Sequence, residues 1–396
     1  MSIARRKTAL CILFFIPGVT ISTWVTRTPA IRDSLSASTG QMGLVLFGLA
    51  LGAMLGILSS GSLVSRFGTK PIIAVGMAGI VASMFVIGLG SALSIAPIVM
   101  GGLGVFGIGM GAAEVAMNIE GADVEARTGK PFLMAMHGFF SLGTVFGATA
   151  GIVFTWIDFS VVLHLAVVGL AALLALVTNI GVLPAGTGIS RVPKNEPLFV
   201  EAGPLWKDTK LVAIGFVVLA LALAEGTAND WLPLIMVDEH GFDQSMGSMV
   251  YAAFALSMTI GRFCGGRIVE LFGRSEVLTA SAAFAALGLL LVSVVNNQVA
   301  AGAAVVLWGL GASLGFPLAI SLAGDSGPNP AARVSFVSTL GYIAFLVGPP
   351  SLGFLGEMFS LRGALLAPIV VVIAAAVLIP ATQKRRTSKK TTVTSR

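Results

Sequence analysis

Twelve apolar stretches, each about as long as the 20 residues a helix needs to cross a bilayer, occupy almost the whole chain. They run at 8–31, 41–63, 70–91, 95–119, 132–156, 160–183, 210–236, 244–268, 275–295, 299–323, 332–356 and 361–382. Hydrocarbon supplies no hydrogen-bond partners to a backbone, so segments of this length read as spanning helices. Only 11% of the residues are charged, where a soluble domain carries about 25%, and mean hydropathy is +0.95. The first stretch follows Arg5, Arg6 and Lys7 like a signal peptide. It is longer than such a segment and eleven more spans follow, so a retained helix is expected.

Basic residues set the orientation. With a cytoplasmic N-terminus, all but Arg27, Arg32 and Arg362 of the 24 Lys and Arg fall in cytoplasmic segments, which predicts two cytoplasmic termini in a bacterial inner membrane. The net charge of +6 is thereby assigned to topology and lipid headgroups rather than to nucleic acid. Cys11 and Cys264 have no metal or redox spacing. Gly107-x-Gly109-x-Gly111 superficially matches a phosphate loop, but it lies in an apolar helix without the Lys. No enzyme, cofactor or metal site is expected.

The chain repeats itself. Gly61-Ser-Leu-Val-Ser-Arg-Phe-Gly-Thr-Lys70 aligns with Gly266-Arg-Ile-Val-Glu-Leu-Phe-Gly-Arg-Ser275, and the same offset carries Glu120 onto Asp325. The reading is an all-α membrane protein of two pseudo-symmetric six-helix bundles, 1–183 and 210–383, joined by a cytoplasmic linker at 184–209 and followed by a basic tail at 384–396. Parallel six-helix repeats with a midplane site between them are a transporter plan. Gly48, Gly52 and Gly56, and Gly143, Gly147 and Gly151, recur every fourth residue, as close helix packing in lipid requires.

Ionisable groups inside the spans are the functional candidates. Glu225 and Asn229 lie one helical turn apart in the seventh span, and Glu114 and Asn118 repeat that spacing in the fourth. Glu225 is the leading proton-coupling candidate, its competing role being a structural hydrogen bond. Glu114 and His137 are the second, at similar depth in adjacent spans; a static pair locking two helices is the alternative. Asn229 and Asn118 are placed as hydrogen-bonding groups for a polar solute, and Asp230 reads equally as ligand group or interfacial acid. Arg27 is either a group at a cavity mouth or a side chain reaching to the interface. Trp24 and Trp231 are candidate sugar platforms, with membrane-interface belts as the competing explanation.

The 61–70 segment and its echo resemble the cytoplasmic loop motif of the major facilitator superfamily, and span count and symmetry extend that resemblance over the whole chain. The resemblance implies gating roles for Gly61, Arg66, Gly68, Lys70, Glu270 and Arg274. Ser65 stands where the motif usually has Asp, which implies a weaker latch in the first half. Trp24-x-x-Arg27-x-Pro29, Glu114-x-x-x-Asn118, His137-Gly-Phe-Phe-Ser-Leu-Gly143 and Glu225-Gly-x-x-x-Asp230-Trp231 are similar to a prokaryotic permease branch related to fucose and hexose–proton symporters. The fifth span lacks the Gly-Pro motif of multidrug antiporters. Proton-coupled symport of a small, sugar-like solute by a monomer is the resulting expectation. A proton-coupled exporter and a non-transporting sensor are the alternatives.

Overall fold

The computed structural model describes residues 2–129, 132–189 and 205–382. The first half comprises α1 (Ile3–Leu35), α2 (Thr39–Phe67), α3 (Thr69–Ala92), α4 (Ala96–Thr128), α5 (Leu133–Trp156) and α6 (Val161–Ile180). The second comprises α7 (Thr209–His240), α8 (Gln244–Phe272), α9 (Arg274–Val294), α10 (Gln298–Gly324), α11 (Pro330–Phe359) and a last span broken into α12 (Leu361–Ala364) and α13 (Leu366–Leu378). The linker falls largely, and the basic tail wholly, outside the described residues. Eleven of the spans are long and apolar enough to cross a membrane. The exception is α8, whose second half carries Arg262, Arg267 and Glu270.

Several helices outrun their apolar stretches. α1 and α4 each have 33 residues, about 50 Å at a helical rise of about 1.5 Å per residue, against a hydrocarbon core of about 30 Å. Nothing in the flanking polar sequence breaks the helix until a terminator arrives; α4 ends at Gly129, in the left-handed region with φ 64°. The two copies of the repeat end alike. Gly68 (φ 85°) joins α2 to α3, and Gly273 (φ 90°) joins α8 to α9. A side chain at either position would be strained, which explains a glycine in both copies.

Glycine also sets the helix seams. A Cβ on Gly48 would lie 3.2 Å from the Met100 carbonyl carbon, and one on Gly52 would lie 3.0 Å from Gly104 Cα, so α2 rests backbone to backbone on α4. Gly143 and Gly147 do the same for α5 against Phe15 and Val19 of α1. In lipid, where apolar burial gives helices no advantage over tails, such close approach supplies the association.

The halves meet along α2–α11 and α5–α8, with α1 touching α7 and α8. Call the basic end the one where α1 begins and α2 finishes, and the far end its opposite. Hydrogen bonds between the halves gather at the far end. Arg32 pairs with Asp238, Gln244 Nε2 donates to Asp33 Oδ2 at 3.0 Å, and the Ser248 hydroxyl donates to the Thr26 carbonyl at 3.1 Å. Glu357 of α11 accepts from the Gly40 N–H in the first turn of α2 at 2.8 Å, a favourable place for a carboxylate.

At the basic end the ion pairs stay within each half. Arg6 Nη2 lies 2.7 Å from Glu120 Oε1, and its Nη1 lies 2.6 Å from Asp123. Thr69, which opens α3, donates to Glu120 at 2.5 Å. The counterpart is Arg274, which opens α9 and pairs with Asp325, so the sequence repeat at Glu120 and Asp325 is a structural repeat too. Asp208 caps α7 by accepting from the Leu211 N–H at 3.1 Å and pairs with Arg333.

Two outcomes follow from these contacts. Gly52→Val should cost about 1–3 kcal/mol by forcing α2 from α4, read as a lower unfolding midpoint in detergent, whereas Gly61→Ala, with open space around its Cβ, should be neutral. The Arg333 hydrogen bond and then the Leu211 N–H hold the Asp208 carboxyl below its usual range. Its folded value lies below the unfolded one, so its stabilisation is complete above about pH 4 and is lost as pH falls through the folded value. Asp208→Asn should remove that part of the acid dependence, measured as midpoint against pH.

Candidate functional site

Six helices bring polar side chains to the interior where the halves face each other. Arg262 of α8 donates from Nη2 to Glu225 Oε1 of α7 at 3.0 Å. The same guanidinium lies within electrostatic range of Glu114 on α4, which belongs to the other half. His137 of α5 also acts on Glu114, and Tyr342 of α11 faces it. Further along, the Tyr251 hydroxyl of α8 donates to Asn229 Oδ1 at 3.4 Å. Tyr251 stands within range of Asp230 and Glu225 and beside Ser22 of α1. A string of polar groups thus runs from His137 and Glu114 in one half, through Arg262 and Glu225, to Tyr251, Asn229 and Asp230 in the other.

Each position follows from local structure. Glu114 borders a small cleft whose remaining lining, Phe14, Pro17, Met110, Met117 and Phe140, is apolar. The only hydrogen-bonding capacity there must come from facing helices or from what enters the cleft. His137 is exposed; its Nδ1 lies 2.9 Å from the Leu133 carbonyl and its ring tilts against Phe14 at 5.1 Å. It and Glu114 are therefore neighbours without a direct hydrogen bond. Gly138, the next residue, allows Phe263 of α8 to approach, its ring 3.1 Å from an added Cβ. That contact places Arg262 at the seam of the halves.

Buried polar atoms on these helices without a partner among the described residues include Thr23 Oγ1, Asn118 Oδ1 and Trp231 Nε1. Leaving such an atom unpaired costs about 1–3 kcal/mol, so each has unused capacity for a solute or water. Asp230 likewise makes no hydrogen bond or ion pair among the described residues.

The structure places other sequence candidates elsewhere. Arg27 is 3% exposed and is taken up by groups of its own half. Its Nε donates to His164 Nδ1 at 3.0 Å and its Nη2 to the Phe159 carbonyl at 2.9 Å, stapling α1 to α6 and the preceding turn. Trp24 and Trp231 are each 1% exposed, inside the protein rather than in an interfacial belt. Among the motif residues, Arg66 sits over the Phe67 ring at 5.0 Å, and Ser65 bonds back to the Ser62 carbonyl. Gly61 and Glu270 are exposed, Lys70 is half-buried, and Arg274 is engaged with Asp325 rather than with Glu270.

Arg262, Tyr251 and Tyr342 are site residues that sequence reasoning missed. Arg262 was grouped with the cytoplasmic basic residues, yet it lies inside the apolar stretch 244–268. The tyrosines carried a signal of their own: the chain has only 2, and both stand in this string.

Two six-helix halves around an interior polar string, buried in a multi-pass helical membrane protein, define a secondary membrane transporter rather than an enzyme. The chain belongs to the Major Facilitator Superfamily, whose family model matches residues 9–335 and 214–396. It is 31% identical over 353 residues to an uncharacterized MFS-type transporter of Yersinia pestis, covering 89% of both chains. Among solved structures it superposes on the nucleoside transporter NupG with a TM-score of 0.79 at 14% identity, covering 96% of this chain and 100% of that one. It also matches the E. coli fucose:proton symporter FucP with a TM-score of 0.66 at 17% identity, covering 97% and 100%.

The staple at Arg27 is testable on its own. Arg27→Gln should destabilise the protein by about 1–3 kcal/mol by orphaning the buried His164 ring and the half-buried Phe159 carbonyl, and Arg27→Lys, which lacks the fork, should recover only part. Unfolding midpoints of the three proteins in one detergent check this.

Proposed function

We propose that this protein is a proton-coupled symporter of a small, neutral, hydroxylated solute, working as a monomer by rocking its two halves about the interior string. The observation that carries the reading is the polar string itself. Glu114 and His137 on one half face the Arg262–Glu225 pair on the other, and proton-accepting groups are brought to the surface that must open and close. Glu225, Glu114 and His137 are the coupling groups in this reading. Gaining or losing a proton at a carboxylate inside the bundle changes the local charge by a full unit in a medium of low dielectric, where that charge has few other partners.

The solute class is argued from donors and acceptors. Asn229, Asn118, Tyr251, Thr23 and the Trp231 indole offer hydroxyl, amide and N–H groups, which suit hydroxyls better than a net charge. Asp230 stands with them as an acceptor, and Trp24 and Trp231 supply aromatic surface. Two proteins of the same fold, NupG and FucP, are described as a nucleoside transporter and a fucose:proton symporter, both of which carry polyhydroxylated molecules. The basic end is taken as cytoplasmic in a bacterial inner membrane, from the positive-inside bias. The gathered far-end contacts then mean that the protein is closed to the outside and faces the cytoplasm. In the opposite state the motif residues Gly61, Arg66, Gly68, Lys70, Glu270 and Arg274 would bring the basic ends of the halves together. Surrounding lipid headgroups bind the basic loops.

The test is proteoliposomes loaded with a pH-sensitive dye and challenged with sugars, polyols, nucleosides and small organic acids. Internal acidification driven by one hydroxylated class is expected, reduced by about 10²-fold in Glu225→Gln. Alkalinisation on solute addition would replace symport with antiport, and binding without flux would replace transport with sensing.

A further inference from the structure

Arg262 is more than the partner of Glu225. It is half-exposed, uses Nη2 on one carboxylate, and leaves Nε and Nη1 without partners among the described residues. It lies beside Phe263, which touches Gly138 across the seam, and a second carboxylate, Glu114, stands within its electrostatic reach in the opposite half. One cation between two carboxylates, one on its own rigid body and one on the other, is the arrangement of a two-position switch. We propose that Arg262 exchanges Glu225 for Glu114 as the halves rock, so that its ion pair lies within the second half when the basic end is open and ties the two halves together when that end is shut. This rests on the alternating-access part of the function proposed above, and it adds a residue and a partner exchange to that reading.

The geometry argues for exchange rather than for a fixed pair. A guanidinium presents donors in a fork, so it can reach a second carboxylate before leaving the first. α4 and α8 belong to different halves, and closing the basic end brings them together around the Gly138–Phe263 contact. Glu114 has no hydrogen-bond partner of its own among the described residues, so pairing with Arg262 would give it one. The groups that face Glu114 are His137 from α5, Arg262 from α8 and Tyr342 from α11; no charged side chain of α1, α2 or α3 acts on it among the described residues. Arg262 in turn is faced by Glu225 from α7 and Glu114 from α4. A proton on Glu114 removes the attraction across the seam and leaves Arg262 to Glu225. A proton on Glu225 does the reverse. The two carboxylates should therefore push the conformational equilibrium in opposite directions, a signature that a merely structural ion pair lacks.

The experiment measures conformation directly, with full-length protein in lipid nanodiscs and both native cysteines replaced. Spin labels are attached through Ser62→Cys and Leu271→Cys at the basic end, and in a second sample through Leu93→Cys and Val299→Cys at the far end. Distances are recorded between about pH 4 and pH 9, from near the ordinary glutamate value of about 4.3 to well above the ordinary histidine value of about 6.5. In the parent, the basic-end-closed population should rise with pH by about tenfold, the change that one pK unit of differential interaction supplies. Glu114→Gln should hold the basic end open at every pH, and Glu225→Gln should raise the closed population above that of the parent wherever Glu114 is charged. Arg262→Gln should abolish both responses, and Arg262→Lys should restore part. Repeating the series with His137→Gln removes the other titratable partner of Glu114.

The proposal is overturned if Glu114→Gln and Glu225→Gln shift the distances in the same direction, or if Arg262→Gln keeps the full pH response. The two single carboxylate variants decide the matter even if Arg262→Gln does not fold. Solute-driven proton flux in the parent with distances indifferent to these substitutions sinks the switch and leaves the proposed function standing. A working switch with no flux on any solute does the opposite.

Discussion

An ion pair inside a membrane protein is held under conditions that punish any imperfection. Water is scarce, hydrocarbon has no partners to offer, and a lone carboxylate or guanidinium must find an opposite charge, a hydrogen bond or a wet cavity. Arg262 and Glu225 answer that constraint with each other at 3.0 Å, and much of the interior is arranged around them. Tyr251 turns its hydroxyl toward Asn229 beside Glu225, and Phe263 fills the seam at Gly138. Glu114 waits across that seam in an otherwise apolar cleft. The pair is only partly enclosed, with 37% of the Arg262 side chain exposed. Its strength is accordingly modest, which suits the exchange of partners proposed for it.

The scaffold around the pair shows why two halves of such different sequence can move as units. Each has its own seams of close backbone contact: in the first half Gly48 and Gly52 against α4 and Gly143 and Gly147 against α1, in the second Gly288 of α9 against Trp308 and Gly311 of α10 against Ala285. Each closes its basic end by a carboxylate at the end of the fourth helix of the half: Glu120 with Thr69 and Arg6, Asp325 with Arg274. These ties stay inside one half and brace it. Contacts between halves are of another kind. They are hydrogen bonds and ion pairs at one end of the bundle, together with the α2–α11 and α5–α8 faces, where Gly43 and Gly353 bring α2 and α11 backbone to backbone.

Much of this was legible in the amino-acid order, and the physical reason is the solvent. Lipid demands about 20 apolar residues per crossing, so the spans announce themselves; the repeat at Gly68 and Gly273 fixes the two-half plan because both need a left-handed backbone. Depth was legible too, since counting residues up a helix places Glu225 and Glu114 inside the bundle. Rotation about each helix was not. Arg27 reads in sequence as a cavity-mouth group or as a side chain reaching to the interface, and its side chain turns to His164, a partner 137 positions away. Trp24 and Trp231 sit at depths where a belt is expected and are nevertheless buried. Arg262 was hidden by a rule that is correct on average: basic residues near span ends usually mark the cytoplasmic side. Ten residues remain between Arg262 and the end of α8, enough to hold it at the level of Glu225.

The far-end contacts decide how easily the molecule can change shape. Arg32–Asp238, Gln244–Asp33 and Glu357 at the first turn of α2 lie near the water boundary, where exposed pairs contribute about 0–1 kcal/mol each. Three or four such contacts sum to a few kcal/mol, which is the size of gap that keeps a minor conformation populated at roughly the per-cent level. A deeply buried pair at the same place would lock the bundle, because removing one partner from it would cost about 3–5 kcal/mol. Neither the far-end Arg32–Asp238 pair nor the central Arg262–Glu225 pair is fully buried, so neither carries the cost of a sealed charge. In the function proposed above, a solute or a proton that contributes a few kcal/mol at the central string would be enough to open one end and shut the other.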